Sequence, residues 1–233
     1  MNRPIETLLA GTPLFADAEH DELALLAGRA RMVTLSPRAL LFSRGDAGDR
    51  LYVMASGLVR VGAVSPDGRE VTYGLIRPGQ VFGEIAVLDG GPRSADATAV
   101  LKSELAVIER TDLMAFLGRR PAHALRLLTI LCERVRTADS LLEDLFFLAA
   151  PSRLAKHLIL LGTTVGDRGD AKGGGGDVTI RMSQQQVADH VGISRELVNK
   201  LLAKWEQAGL VGLWRGQITL KDLEALDALI DPE

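Results

Sequence analysis

The chain has 233 residues, is 47% hydrophobic and 24% charged, and carries a formal net charge of −3 at pH 7. This length allows two small domains, and the composition is ordinary for a soluble globular protein. The negative net charge excludes a globally basic nucleic-acid-binding protein, so any such site must be a local patch.

Targeting signals and disulfides are not predicted. No apolar run approaches the roughly 18 residues of a membrane span. The first residues, MNRPIETLLAGTPLF, carry an acid and lack the apolar core of a signal peptide. The single cysteine, Cys132, cannot form an internal disulfide, as is usual in a reducing cytoplasm. We therefore expect a cytoplasmic protein that does not contact a membrane.

The N-terminal part of the chain has the pattern of a helical segment followed by an antiparallel β-roll. Leucines at helical spacing lie within residues 5–30. From residue 31 onward, short stretches rich in Val, Leu, Tyr and Phe alternate with Gly and Pro, which is typical of a compact β-barrel or roll. Pro66-Asp67-Gly68 has the composition of a hairpin turn.

One stretch in the β region, FGEIAVLDGGPRSADAT, has the chemistry of a site for a sugar and a phosphate. Gly83 allows close approach of the backbone, and Glu84 can accept a hydrogen bond from a sugar hydroxyl. Arg93 can pair with a phosphate through two parallel hydrogen bonds, with the Ser94 hydroxyl beside it. An alternative interpretation is a structural ion pair between Glu84 and Arg93.

The stretch from Pro121 to about Ala149 predicts one long helix around which the rest of the chain is organised. Its seam positions alternate in steps of four and three, as in a coiled coil, and are Leu128, Cys132, Val135, Asp139, Leu142 and Phe146. We predict that this seam forms a dimer interface, with a buried core helix as the alternative. Cys132 is interpreted as a small packed hydrophobe.

The C-terminal part predicts a helix-turn-helix. Residues 162–177 contain four consecutive glycines and predict a mobile surface loop. Ser183 and Gln186 have the spacing of a capping box, Gly192 supplies a tight turn, and Ser194 can cap a second helix.

A hairpin predicted around Arg215-Gly216 takes the place of a wing, and such a winged unit inserts the start of its second helix into the major groove. The predicted base-contacting residues, which we expect to be exposed, are Arg195, Glu196, Asn199 and Lys200. The predicted phosphate-contacting residues are Gln184, Gln185, Ser194 and Arg215. Trp205 and Trp214 are predicted to be core residues. A winged helix that binds protein rather than DNA is the alternative.

In these motifs and their order, the sequence resembles the cyclic-AMP receptor protein and fumarate-nitrate reductase regulator (Crp/Fnr) superfamily of transcription regulators. The resemblance covers nearly the whole chain. It implies an α+β fold with an antiparallel β-roll at residues 1–120, a dimerisation helix at 121–150 and a winged helix-turn-helix at 151–233. It also implies three partners: double-stranded palindromic DNA, a second copy of the chain and RNA polymerase.

The resemblance further implies that an effector, cyclic AMP or a related cyclic nucleotide, binds in the β-roll. The implied site residues are Gly83, Glu84, Ile85, Arg93, Ser94, Ala95, Thr137 and Asp139. Cyclic-AMP receptors hold the nucleobase with a Thr-Ser pair on the long helix, whereas this sequence has Ala138 and Asp139 at the matching positions. We hypothesise that Asp139 accepts hydrogen bonds from the base. The alternative is a polar residue that only sets the helix register.

Other functions are compatible with the same sequence. A constitutively active regulator, or one that responds to cyclic di-GMP or another effector, would have the same architecture. A redox, iron–sulfur or haem sensor would need a cysteine cluster or a suitable haem ligand, and one cysteine and four scattered histidines supply no evident set. We predict no enzyme activity and no metal site, because no catalytic set or metal-ligand spacing stands out.

Overall fold

The computed structural model describes residues 3–66, 70–168 and 177–230. The described residues up to Arg136 form one compact unit, and those from Thr137 onward form a second. Among these residues, no helix has both the length and the apolar character that crossing a membrane requires.

The first unit consists of two antiparallel sheets and flanking helices. Helices α1 (Arg3–Ala10) and α2 (His20–Arg29), with a 3₁₀ turn at Pro13–Phe15, precede the strands. The strands are β1 (Arg31–Leu35), β2 (Leu40–Phe42), β3 (Arg50–Ser56), β4 (Val59–Val64), β5 (Glu70–Ile76), β6 (Val81–Phe82), β7 (Asp96–Ala99) and β8 (Ser103–Glu109). Helix α3 (Glu84–Asp89) follows β6, and α4 (Arg110–Arg119) follows β8. The sheets have the strand orders β1-β8-β3-β6 and β2-β7-β4-β5.

Strand β3 shows why this unit forms layers. Leu51 and Val53 pack in a core cluster with the flanking helices, whereas Tyr52 and Met54 pack in a second cluster with residues of the other sheet. Alternate residues of a strand point to opposite faces, so β3 is apolar on both sides. This two-sheet arrangement confirms the predicted antiparallel β-roll.

Helix α5 (Pro121–Phe147) is the predicted long helix and begins at its proline. The boundary between the two units falls within it, after Arg136. The large apolar seam residues are 54% to 80% exposed in the single chain; they are Leu128, Val135, Leu142 and Phe146. The alternative of a buried core helix is therefore wrong. Cys132, predicted to be packed, is exposed in the single chain as well.

The second unit contains, after the end of α5, helices and one small sheet. The helices are α6 (Ala150–Val165), α7 (Gln184–Val191), α8 (Arg195–Gln207) and α9 (Leu223–Asp227). The strands are β9 (Asp167–Arg168), β10 (Val178–Ile180), β11 (Val211–Trp214) and β12 (Gln217–Leu220), in the sheet order β11-β12-β10-β9. Leu154, Leu158 and Leu161 of α6 are buried, as their helical spacing predicts.

Local signals define the helix-turn-helix. The Ser183 hydroxyl accepts from the Gln186 N–H at 3.2 Å, and the Gln186 side chain accepts from the Ser183 N–H at 2.8 Å. Gly192 ends α7 with φ of +73°, and the Ser194 hydroxyl accepts from the Leu197 N–H to cap α8. The predicted capping box, turn and second cap are all confirmed, and β11 and β12 form the predicted hairpin.

Some local predictions were wrong or cannot be compared. Residues Glu84–Asp89 form helix α3, where only strands were expected. Helix α6 continues to Val165 and β9 covers Asp167–Arg168, so the predicted loop is wrong for these residues, whereas residues 169–176 lie outside the described ranges. The hairpin turn predicted at Pro66-Asp67-Gly68 includes residues outside the described ranges, as does the glycine run at 173–176.

The two tryptophans have opposite environments. Trp205 is 4% exposed and belongs to the core, as predicted, whereas Trp214 is 68% exposed. Val211 of the same strand is buried and Leu213 is partly buried. Because successive residues of a strand face opposite sides, Trp214 points away from the core. Its assignment to the core was wrong.

Candidate effector pocket and DNA-binding surface

The turn between β6 and α3 requires a glycine. Gly83 has φ of +81°, a region that residues with a side chain rarely adopt. A Cβ atom at this position would lie 2.7 Å from Arg93 Nη1 and 3.1 Å from the Arg50 carbonyl oxygen. Gly83 therefore both starts α3 and lets the Arg93 guanidinium approach the backbone.

Arg93 is held in place by the protein itself and is only 4% exposed. Its Nη1 donates to the Gly83 carbonyl at 2.8 Å, and its Nη2 donates to the Arg50 carbonyl at 2.9 Å. The guanidinium carbon lies 4.4 Å from the centroid of the Phe42 ring, a favourable cation–π distance. Protein groups thus hold the positive charge in one orientation, which lowers the entropy cost of binding an anion.

The arginine beside Glu84 is Arg134 and not Arg93, which the alternative interpretation had named as its ion-pair partner. Its carboxylate is fully buried, and Oε1 is 3.2 Å from Arg134 Nη1. Arg134, on α5, also donates from Nη2 to the Val81 carbonyl at 2.7 Å. Neither carboxylate oxygen has a partner of good hydrogen-bond geometry, so both retain acceptor capacity. A Glu84–Arg93 ion pair does not describe this site.

These side chains line one pocket with about 310 Å³ of empty volume. Six of the eight predicted effector residues line it: Gly83, Glu84, Ile85, Arg93, Ser94 and Ala95. Sequence reasoning missed Phe42, Val61, Phe82, Ala86 and Arg134, which also line the pocket. Two arginines and one glutamate give the lining a net positive charge. The arrangement can bind an anion beside a group that carries a hydroxyl.

Thr137 and Asp139, the other two predicted effector residues, are exposed on α5 within the second unit. Their role toward a nucleobase stays a prediction. The sequence did contain a signal for Arg134, because it lies one helical turn before Thr137 on the same helix.

The second site is the start of α8. Arg195, Glu196 and Lys200 are exposed, as predicted. Glu196 accepts from its own backbone N–H and from the Ser194 hydroxyl, and these bonds lower the pKa of its carboxyl group. Asn199 was expected to be exposed but is only partly so, and its Oδ1 is buried without a hydrogen-bond partner. It borders the face of α8 that carries the buried Val198 and Leu202, which explains its partial burial.

A groove beside α8 has about 870 Å³ of empty volume. Predicted phosphate-contacting residues Gln184, Gln185 and Arg215 line it, together with Arg195. Ser194 caps α8 instead and is not among the lining residues. Within the described ranges, no three His, Cys, Asp or Glu side chains are grouped so that they could hold a metal ion.

Two family models match the parts of the chain that contain the pocket and the helix-turn-helix. A family model described as a cyclic nucleotide-binding domain matches residues 32–120, and one described as a Crp-like helix-turn-helix domain matches residues 152–229. Fold and sites together define a cyclic nucleotide-binding transcription regulator with a helix-turn-helix.

The relatives define the family more closely. The CRP-like cAMP-activated global transcriptional regulator of Mycobacterium tuberculosis is 33% identical over 222 residues, covering 95% of this chain and 98% of the relative. The cyclic AMP receptor protein of Thermus thermophilus is 32% identical over 221 residues, with the same coverage. The chain belongs to the Crp/Fnr family of transcription regulators.

A solved structure of low sequence identity shares the fold of this chain. The c-di-GMP-responsive global regulator CLP of Xanthomonas campestris aligns with a TM-score of 0.76 at 22% identity, covering 88% of this chain and 100% of that chain. This likeness establishes the fold. It carries no information about which effector the present chain binds.

Proposed function

We propose that this protein is a homodimeric regulator whose affinity for a palindromic operator rises when a cyclic purine nucleotide binds in the β-roll. Cyclic AMP is the first candidate effector. The observation that carries the proposal is the pocket in which a buried, backbone-anchored Arg93 lies near a buried Glu84. Both relatives described above are named for cyclic AMP, which favours the same effector.

The pocket matches the two polar ends of a cyclic nucleotide. Arg93 and the Ser94 hydroxyl, which is exposed, would hold the cyclic phosphate. Glu84 would accept from the ribose hydroxyl, since both of its oxygens lack a hydrogen-bond partner. Arg134 would balance the charge of the buried carboxylate, since its Nη1 lies 3.2 Å from Oε1 of Glu84.

The seam of α5 supports the homodimer. Leu125, Leu128, Val135, Leu142 and Phe146 fall at coiled-coil spacing and are more than half exposed in the single chain. An exposed apolar stripe of this kind is unfavourable in water and is typical of an interface. A second copy with the same stripe is the simplest partner, and its two-fold symmetry would match a palindromic operator.

Asp139 lies on this seam and is exposed. In a symmetric dimer the two carboxylates would face one another and repel. A nucleobase that donates hydrogen bonds to them would favour one dimer state and could thereby act as a switch. Asp139→Ala tests the idea, and unchanged affinity for every cyclic nucleotide would leave Asp139 with the register role only.

At the operator, Arg195 and Glu196 are proposed to contact bases, with Lys200 reaching a base or a phosphate. RNA polymerase is the third proposed partner, which the family resemblance implies. In vitro transcription from a promoter with an adjacent operator tests this contact. If the protein occupies the operator and the transcript level does not change, the proposed contact with RNA polymerase is contradicted.

Calorimetry with cyclic AMP, cyclic GMP and cyclic di-GMP tests the effector assignment, followed by DNA titrations with each ligand. Arg93→Leu removes a charge-assisted bidentate pair, so we expect affinity to fall about 100-fold, or about 3 kcal/mol. Because leucine also leaves two carbonyls without a donor, Arg93→Lys is measured beside it. Arg119→Leu, an exposed arginine on α4, is the matched control.

The outcomes separate the alternatives. The proposal is supported if the parent chain and the Arg119→Leu variant bind cyclic AMP and the Arg93→Leu variant does not. If only cyclic di-GMP changes DNA binding, cyclic di-GMP and not cyclic AMP is the effector. Tight operator binding with no response to any of the three ligands would favour the constitutively active regulator. Retained affinity in the correctly folded Arg93→Leu protein would remove the phosphate assignment.

A further inference from the structure

Arg93 is a buried cation that has only neutral partners. It lines the candidate effector pocket, where the carboxylate of Glu84 pairs with Arg134 instead. The carboxylate of Glu109 lies beside Arg50. In the part of the chain that the structure describes, no carboxylate forms an ion pair with Arg93. Burying a charge without a counterion costs free energy, so other groups must offset this cost.

Two backbone carbonyls and two aromatic rings surround the Arg93 guanidinium. The carbonyl oxygens of Gly83 and Arg50 each accept one of its N–H groups. The guanidinium carbon lies 4.4 Å from the ring centroid of Phe42 and 5.4 Å from that of Tyr52. The face of an aromatic ring carries partial negative charge, which attracts a cation. These groups therefore stabilise the guanidinium without cancelling its formal charge.

The ring of Phe42 is itself held by other aromatic rings. Its centroid lies 5.7 Å from that of Tyr52, and the centroids of Tyr52 and Phe82 are 5.2 Å apart. Tyr52 and Phe82 are buried, whereas Phe42 is partly exposed and lines the pocket. The Phe42 ring thus has a fixed position between the protein core and the arginine.

Arg93 retains hydrogen-bond donors for a ligand. Two of its five N–H groups donate to the carbonyls. Its Nε is buried and has no hydrogen-bond partner. An anion that enters the pocket can therefore accept from the guanidinium without displacing a protein group.

We propose that Phe42 is a positioning residue for the effector phosphate, because its ring face holds the Arg93 guanidinium in the orientation that binds the anion. An acidic residue in the same place would also hold the guanidinium, but it would compete with the phosphate for its charge. The inference rests on the proposed binding of a cyclic nucleotide and adds Phe42 to the residues that determine affinity.

The ring contact matters for affinity because the other contributions nearly balance. Two hydrogen bonds to a charged group and the cost of burying that charge are of similar size. The cation–π contact with Phe42 then decides what fraction of the molecules has Arg93 in the binding orientation. The apparent affinity for the effector falls in proportion to this fraction.

Fluorination of the Phe42 ring tests this contact, because fluorine withdraws charge from the ring face and changes the shape of the ring very little. Phenylalanine with one, two or three ring fluorines replaces Phe42 in the full chain. Calorimetry measures the affinity of each protein for whichever of cyclic AMP, cyclic GMP and cyclic di-GMP binds the parent chain most tightly. The matched control carries the same fluorinated residues at Phe15, which is fully buried and contacts the ring of Phe116.

We expect affinity to fall with each added fluorine, reaching about fivefold for the trifluorinated ring at position 42. Phe42→Leu, which removes the ring face altogether, should weaken binding about tenfold. The Phe15 series should retain the affinity of the parent chain. If Phe42 only packed against its neighbours, affinity would stay the same along its fluorinated series, because the ring keeps its shape.

Three results overturn the inference. Equal affinities along the Phe42 series would show that the ring face does not hold the arginine, even if Phe42→Leu binds more weakly, and the effector assignment would stand. An equal fall in the Phe15 series would assign the effect to the fold as a whole. If the parent chain binds none of the three cyclic nucleotides, the proposed effector is wrong and this inference is wrong with it.

Discussion

Two histidines packed against each other in the second unit predict a loss of stability in mild acid. The rings of His157 on α6 and His190 on α7 have centroids 5.2 Å apart. Burial, followed by the charge of His157, lowers the pKa of His190 from 6.5 to about 4. Burial also lowers the pKa of His157, with Lys156 and Arg153 acting in the same direction and Asp144 opposing them.

The direction and magnitude of this stability loss follow from the linkage between proton binding and folding. The folded state of His190 binds its proton near pH 4 and the unfolded state near pH 6.5, so acid favours unfolding. Stability contributed by the neutral ring is complete above pH 6.5 and is lost progressively toward pH 4. For these two pKa values the loss is about 2 kcal/mol at pH 5. His157 adds to the loss in the same direction.

His190→Leu isolates this effect. Neither ring nitrogen of His190 has a hydrogen-bond partner, so leucine removes no bond, and we expect stability near neutral pH to change by less than about 1 kcal/mol. Between about pH 7.5 and pH 5 the variant should gain about 2 kcal/mol relative to the parent chain.

Urea unfolding followed by tryptophan fluorescence measures this difference, because both tryptophans lie in the second unit. His20→Gln is the control, since His20 is exposed and lies in the first unit. It should not show the gain in mild acid that is expected of His190→Leu. Parallel pH curves for the parent and His190→Leu would refute the reasoning.

Three further predictions concern the pocket, the seam and the helix-turn-helix. Gly83→Ala places a Cβ 2.7 Å from Arg93 Nη1 at a positive φ, and cyclic-AMP calorimetry should show affinity at least tenfold weaker, about 1.4 kcal/mol. Leu142→Asp should weaken the dimer in analytical ultracentrifugation by about 100-fold or more, whereas Leu160→Asp, an equally exposed leucine on α6, should not. Ser183→Ala removes the capping box and should cost about 1 kcal/mol in urea unfolding; an unchanged midpoint would contradict its role.

Signals that lie close together in the sequence predicted the structure best. The capping box of Ser183 and Gln186 spans four residues, so its chemistry alone locates the start of α7. The seam of α5 is likewise a local repeat. The predicted effector residues from Gly83 to Ala95 lie in one short stretch, so the sequence alone predicted that they form one site.

Contacts between distant parts of the chain could not be predicted in the same way. The pairing of Arg134 with Glu84 joins residues 50 positions apart, and no local pattern specifies it. The buried site of Arg93 likewise depends on the carbonyl of Arg50. Trp214 is different, because strand alternation after Leu213 already predicts an outward side chain.

The coupling of effector to DNA is the central claim, and a DNA titration by fluorescence anisotropy with and without cyclic AMP tests it most directly. For the parent chain we predict at least tenfold tighter operator binding with cyclic AMP, a coupling of about 1.4 kcal/mol. For the Arg93→Leu variant we predict no change. Operator affinity of the parent that stays the same with cyclic AMP, cyclic GMP and cyclic di-GMP would contradict the claim.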